Sequence, residues 1–224
     1  MPTARRKAAA PKGRATPADE RPVLLVAGPP SQLRTTVTVE NTAGQQVAVR
    51  AAALHREGES VVPGGVAALI PAGATATVPV SFAIAPGTPP GEYAAEVEVG
   101  GTRRAAVVRV EPHLSMHVSP RRVLAEAGRQ AIDLVVSNDG NLDVTVAALA
   151  RARTDDGGPE PGPDVSLALD DAVVVAAATQ VSTTAHLEVP AGLDPTRRHT
   201  ASIPVGLADL DVIILPRTGS ESPS

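Results

Sequence analysis

The sequence predicts an all-β chain with β-sandwich architecture, and three observations support that class. Hydrophobic residues make up 43% of the 224 residues. In residues 74–84, 92–100 and 104–111 they alternate with small or polar residues, which indicates strands with one buried face. Many of the 22 prolines and 19 glycines fall between such segments, where turns every 8–12 residues or so would join short strands.

Helical patterns with caps are scarce in this chain. Residues 123–132 are the strongest alternative, since their apolar spacing would allow a turn of helix. Gly128 lies inside this segment, however, and glycine weakens a helix interior. We therefore expect a bent strand there.

Two segments of the chain repeat one another. Residues 35–49 and 132–146 share alternating apolar residues, an asparagine and then a second apolar pair. The matching positions, all 97 residues apart, are Val37 and Leu134, Val39 and Val136, Asn41 and Asn138, Val47 and Val144, and Val49 and Val146. Residues 108–112 and 212–216 match at an offset of 104. We attribute the difference of seven to an insertion in the loop 154–164.

A repeat of this length predicts two domains of one kind. We place them at residues 22–112 and 113–218, with a short hinge around Pro112 that restricts their relative orientation. Residues 1–21 are basic and lack a long apolar segment, so we expect a disordered tail that makes at most a weak contact with an acidic surface. Residues 219–224 are expected to be a second disordered tail.

The first copy carries motifs of a known family. Its sequence contains an asparagine turn between early strands, a "PAG" turn before a long alternating strand, and a glycine and a tyrosine before the next strand. The residues that match are Asn41, Pro71, Gly73, Pro86, Gly91 and Tyr93. This pattern resembles the bacterial immunoglobulin-like domains of the NEW3 and CARDB kind. The resemblance implies two tandem immunoglobulin-like β-sandwich domains, a fold that is attached to many different functions.

The second copy follows that pattern in part. It keeps Asn138 and Pro190, but Pro195 and Arg197 stand where the first copy has Gly91 and Tyr93. Tyr93 has two interpretations: a tyrosine corner, in which its hydroxyl bonds to nearby backbone, or simple packing at a strand edge.

Composition excludes several functions. The chain has one Phe, one Tyr and no Trp, so it lacks the aromatic surfaces that stack on sugars and nucleic-acid bases. Its net charge of −4 argues against a nucleic-acid partner. The absence of cysteine excludes disulfides and thiolate chemistry. No stretch is apolar enough to predict a membrane span, and we expect a cytoplasmic protein, with association to a particle as an alternative.

Calcium binding is the sharpest chemical alternative. Asp139, Asn141 and Asp143 fit the first ligand positions of an EF-type loop, but Val144 and Ala150 stand where that loop needs glycine and glutamate. We therefore predict a tight turn with residues that tolerate a positive φ. The acidic residues of loop 154–164 do not follow the spacing of calcium ligands, and we expect this loop to be solvated.

No other site chemistry is indicated. His113 and His117 are four apart, but on the expected strand they would lie about 13 Å apart, too far for one zinc ion. There is no nucleophile elbow and no phosphate-binding loop. The paired arginines are expected to be solvated charges that protect strand edges; they are Arg103, Arg104, Arg109, Arg121, Arg122, Arg197 and Arg198.

The sequence thus predicts a non-catalytic protein without cofactor or metal site, which acts as a structural adaptor in protein–protein assembly. An accessory part of a large bacterial complex, such as a contractile injection particle, is the expected setting. The alternatives are a cell-surface or secreted adhesive module and an accessory domain of a hydrolase.

Overall fold

The computed structural model describes residues 23–194 and 196–215. All regular structure in these residues is β-strand, which confirms the predicted all-β class. The predicted tails at residues 1–21 and 219–224 lie outside the described residues. The strands are β1 (Leu24–Gly28), β2 (Leu33–Glu40), β3 (Val47–Val49), β4 (Ala52–Arg56), β5 (Val62–Gly65), β6 (Ala68–Ile70), β7 (Thr75–Phe82), β8 (Gly91–Val99), β9 (Thr102–Val110), β10 (Met116–Ser119), β11 (Arg122–Ala125), β12 (Gly128–Asn138), β13 (Val144–Val146), β14 (Leu149–Arg153), β15 (Asp164–Ala168), β16 (Val173–Val175), β17 (Gln180–Val189), β18 (His199–Val205) and β19 (Ala208–Ile214).

The strands pair in two separate sets. Strands β1–β9 pair only with each other, and so do β10–β19. Each set surrounds its own hydrophobic core, which is aliphatic except for Phe82; one core runs from Val26 to Val110 and the other from Val118 to Ile214. We call β1–β9 the N-terminal unit and β10–β19 the C-terminal unit. The predicted hinge lies between β9 and β10.

The N-terminal unit differs from a two-sheet sandwich, because seven of its strands close into a barrel in the order β1-β2-β7-β5-β4-β8-β9. Strand β1 closes one side by pairing antiparallel with β2 and parallel with β9. Strand β5 closes the other by pairing with β4 and β7. Gly64 in β5 lies against the ring of Phe82, where an added Cβ would be 2.4 Å from Cε1. A larger residue would keep β5 from this position.

The C-terminal unit has two larger sheets, ordered β10-β12-β17-β15-β14 and β11-β19-β18, and the two-stranded sheet β13–β16. Residues 123–132 form neither a helix nor the single bent strand that we expected. They are divided between β11 and β12, which belong to different sheets. Gly128 opens β12 with a φ of 112°, a conformation that favours glycine and lets the chain change sheets.

Strands β1–β9 correspond in order to β11–β19, whereas β10 has no counterpart among the described strands of the N-terminal unit. The small pair β3–β6 has its counterpart in β13–β16, and the parallel pair β1–β9 has its counterpart in β11–β19. The offset of 97 holds through β13. Val175 in β16 lies 105 residues after its counterpart Ile70, so the offset there exceeds the predicted 104. The loop before β15 is longer than the loop before β5, as the predicted insertion requires.

Candidate functional site

Each of the three candidate calcium ligands interacts with a different part of the protein. The carboxylate of Asp139 lies 2.8 Å from Nδ1 of His117, and Oδ1 of Asp143 accepts a 2.9 Å hydrogen bond from the backbone N–H of Ala177. Asn141 is buried, with 3% of its surface exposed. Nowhere in residues 23–194 and 196–215 do three His, Cys, Asp or Glu side chains gather as a metal site would require.

The loop is a turn, but not for the predicted reason. None of residues 138–141 has a positive φ, so backbone conformation does not demand Gly140. Glycine is required at this position because a side chain would not fit. A Cβ on Gly140 would lie 2.3 Å from the carbonyl oxygen of His113 and 3.0 Å from the backbone nitrogen of Ser115. The glycine lets the turn pack directly against the chain that enters β10.

Each unit contains a buried asparagine that closes this turn. Asn138 Nδ2 donates to the carbonyls of Leu142, Val175 and Ala176 at 2.8, 3.0 and 3.2 Å, and its Oδ1 accepts from the N–H of Gly140. Asn41 repeats the pattern, with donations to Gln45, Ile70 and Pro71 at 2.8–2.9 Å and acceptance from Ala43. The conspicuous asparagine of the repeat therefore has a structural role in both copies.

Asn141 joins the two units. Its Nδ2 donates to the carbonyl of Thr88, in the loop before β8, at 3.1 Å and to that of Glu111, in the hinge, at 3.0 Å. Its Oδ1 accepts a 2.7 Å bond from the N–H of His113, whose carbonyl accepts from the N–H of Asn141 at 2.9 Å. One buried side chain thus holds a loop of the N-terminal unit and both sides of Pro112.

A second contact lies beside this network. A Cβ on Gly87 would be 3.3 Å from Cβ of Ala178 and 3.5 Å from the carbonyl oxygen of Ala177. Ala178 has a φ of 54° and donates its N–H to the carbonyl of Gly140. We call these residues, together with Asn141, Thr88 and the hinge, the junction.

The junction can fix an orientation, because its hydrogen bonds are directional and buried. Each of the three Asn141 side-chain bonds contributes about 0.5–1.5 kcal/mol net. The two bonds that reach Thr88 and Glu111 supply about 1–3 kcal/mol against separation of the units. Such a bond set acts as a brace between the two units and offers no reactive group.

The acidic loop 154–164 makes its own contacts. Asp156 accepts from the N–H of Gly158 at 2.8 Å and from Arg197 at 2.9 Å. These bonds, the backbone one foremost, hold the pKa of Asp156 below its ordinary value. Thr154 is buried and donates to the carbonyl of Pro163. The loop is therefore closed on itself and tied to the segment before β18.

Most of the arginines named above pair with a nearby acceptor. Arg103 lies 2.9 Å from Glu98 and Arg109 2.8 Å from Glu92 across the β8–β9 hairpin. The Arg103 hydrogen bond is the main reason that the pKa of Glu98 is lowered. These pairs are exposed and individually weak.

Tyr93 makes the hydrogen bond of a tyrosine corner. Its hydroxyl donates to the carbonyl of Pro89, four residues upstream, at 2.8 Å, and the guanidinium of Arg56 lies 5.7 Å from the ring centre. In the C-terminal unit, Nε2 of His199 lies 3.0 Å from the carbonyl oxygen of Asp194. The imidazole ring of His199 thus links the start of β18 to the backbone five residues upstream.

The spacing of His113 and His117 does not create a site. His117 lies in β10, whereas His113 precedes the strand, so the expected strand covers only the second half of this segment. None of the described residues forms a helix long and apolar enough to cross a membrane.

Comparisons with known proteins give limited information. No family model matches the chain, and no curated protein matches it. Among solved structures, the chain is similar to the CupB2 chaperone of Pseudomonas aeruginosa, at 12% identity over 82% of this chain and 91% of that one, with a TM-score of 0.29. It is also similar to a protein of unknown function from Porphyromonas gingivalis W83, at 15% identity over 86% and 94%, with a TM-score of 0.27. TM-scores this low assign neither fold nor function.

Proposed function

We propose that the protein is a non-catalytic adaptor that presents two tandem immunoglobulin-like domains, of the NEW3/CARDB kind, in a fixed orientation to protein partners. Asn141 carries this proposal, because its buried amide bonds to both units and to the hinge between them. A protein whose two halves worked independently would not need such a brace. The strand-by-strand correspondence of β1–β9 with β11–β19 supports a tandem pair.

The proposed setting is a cytoplasmic or particle-associated assembly, such as a bacterial contractile injection particle, in which a rigid two-domain element separates or aligns other components. The predominance of weak, exposed ion pairs and the closed acidic loop support a binding or spacing role over catalysis. The proposal includes no cofactor and no metal.

Affinity purification from the producing cell tests this function. Wild-type protein should retain a defined partner, and the variant Asn141→Ala should retain less of it because the partner meets two unaligned domains. Asp139→Ala is the matched control, since it removes an exposed pair of the same turn with His117 that stays within the C-terminal unit. A wild-type protein that emerges alone and monomeric would refute the adaptor function.

A further inference from the structure

A groove of about 540 Å³ lies on the C-terminal unit where its two larger sheets meet. Strands β14 and β18 are edges of these sheets. They approach each other, yet in the described residues their only backbone link is between Asp155 and Thr200, whose N–H groups donate to each other's carbonyls at 2.8 and 2.9 Å. In the N-terminal unit, β4 and β8 form a full ladder over residues 52–56 and 95–99. The groove exists because this unit stays open where the other closes.

Three guanidinium groups line this groove, from three different segments. They belong to Arg122 on β11, Arg153 on β14 and Arg198 just before β18. Two carboxylates, Asp155 and Asp211, also line it. The side-chain Oδ1 of Asp155 accepts from the N–H of Gly157 in its own turn. The lining therefore has an excess of positive charge.

The arginines are available to a ligand. Arg122 lies 3.3 Å from Asp211, and Arg153 lies 3.8 Å from Asp164. Both arginine side chains are about two-thirds exposed, at 65% and 67%, so these pairs contribute little and exchange partners at small cost. Within the described part of the chain, no carboxylate lies within 4.0 Å of the Arg198 guanidinium.

An apolar strip adjoins the charged groups. Ile213 on β19 lines the groove, and it is directly paired with Leu124 on β11, whose surface is 64% exposed. Arginine is enriched in protein–protein interfaces, and the buried centre of such interfaces is apolar. A free inorganic anion would use the arginines but leave this strip uncovered.

We propose that the groove binds an acidic segment of a protein partner, one that carries carboxylates on either side of an aliphatic residue. Arg153 and Arg198 take the carboxylates, since a planar guanidinium can hold a carboxylate through two hydrogen bonds. Ile213 and Leu124 take the aliphatic side chain. This inference rests on the proposed adaptor function and names one partner surface for it.

A labelled peptide, Glu-Glu-Glu-Leu-Glu-Glu-Glu, tests the site by fluorescence anisotropy at low salt. The double variant Arg153→Gln/Arg198→Gln should bind it at least about tenfold more weakly than wild type, because two charge-assisted contacts are lost. The control is Arg129→Gln, an exposed arginine on β12 of the same unit that does not line the groove, and it should bind as wild type does. The same peptide with glutamines should not bind. Equal peptide binding by the double variant and the control, or no binding by wild type, would overturn the proposal.

The native purification separates this proposal from the adaptor function. A partner retained by wild type but lost from the double variant supports both. A partner retained equally by both proteins overturns the groove and leaves the adaptor function standing. If wild type retains no partner, the adaptor function fails, and the peptide measurement alone decides whether the groove binds acidic segments.

Discussion

Replacing Asn138 by alanine should destabilise the C-terminal unit far more than any exposed change in the same turn. The asparagine is 1% exposed and makes three donations and one acceptance. At about 0.5–1.5 kcal/mol for each bond, the loss is about 2–6 kcal/mol. Gly140 keeps a 3.2 Å bond to the carbonyl of Ser115, so only three bonds are lost without compensation, and the expected loss is about 3 kcal/mol.

The assay is urea unfolding followed by circular dichroism, together with hydrogen exchange to locate the change. A loss of about 3 kcal/mol in a domain of this size lowers Tm by roughly 12–24 °C. Exchange should accelerate in β13 and β16, whose carbonyl at Val175 loses its partner, while β1–β9 stay protected. Asn41→Ala should produce the same loss in β3 and β6.

Asp139→Ala is the control for this prediction. Its exposed pair with His117 contributes less than about 1 kcal/mol. If Asn138→Ala costs no more than Asp139→Ala, the buried asparagine does not hold the turn, and the structural reading of the repeat is wrong.

Three further predictions concern the turn at Gly140, the hydrogen bond of Tyr93 and the acidic loop 154–164. Gly140→Ala should cost about 1–3 kcal/mol of unfolding free energy, because a Cβ would overlap backbone atoms; in thermal melts Gly44→Ala, at a position with open space, should cost less. Tyr93→Phe should lower the unfolding free energy of the N-terminal unit by about 1 kcal/mol in urea, because the hydroxyl bond to the Pro89 carbonyl is lost, and an unchanged midpoint would contradict this. The pKa of Asp156 in the folded protein lies below its ordinary value of 3.8, so its carboxylate stabilises the fold above that pH and the contribution disappears as pH falls through the folded pKa. Melts from pH 7 to 2.5 should therefore show a steeper acid loss for wild type than for Asp156→Asn, and parallel curves would refute the assignment.

The sequence predicted the strands and the repeat because both leave periodic marks. Alternation of period 2 in residues 74–84 and 92–100 corresponds to β7 and β8. The asparagines at an offset of 97 make the same hydrogen bonds in both units. Side-chain type and local geometry were therefore enough to predict these strands and the repeat.

Barrel closure could not be predicted in the same way. It depends on β1 and β5 each pairing with two neighbours, and the β1–β9 pairing joins residues as far apart in the chain as Leu24 and Ala106. Apolar alternation is the same for a strand with one partner or two. The divided segment at residues 122–138 escaped prediction for a related reason, since both of its strands fit one continuous pattern.

The junction left a trace in the sequence that we interpreted differently. Gly140 and Asn141 stand where the first copy has Ala43 and Gly44. From the polar residues of the second copy we considered a calcium loop and predicted a turn with positive φ. The departure instead reflects contact with the hinge, because Gly140 packs against the backbone of His113 and Asn141 bonds to the carbonyls of Thr88 and Glu111.

The most direct test of a braced pair is the distance between the two units. The chain contains no cysteine, so Thr77→Cys on β7 and Ser182→Cys on β17, both exposed positions, would carry the only two spin labels. Double electron–electron resonance should give a single narrow distance distribution for this labelled protein and for its Asp139→Ala form, and a clearly broader one when Asn141→Ala is added. A broad distribution in the otherwise unchanged protein, or one that Asn141→Ala leaves equally narrow, would contradict a fixed orientation held by Asn141.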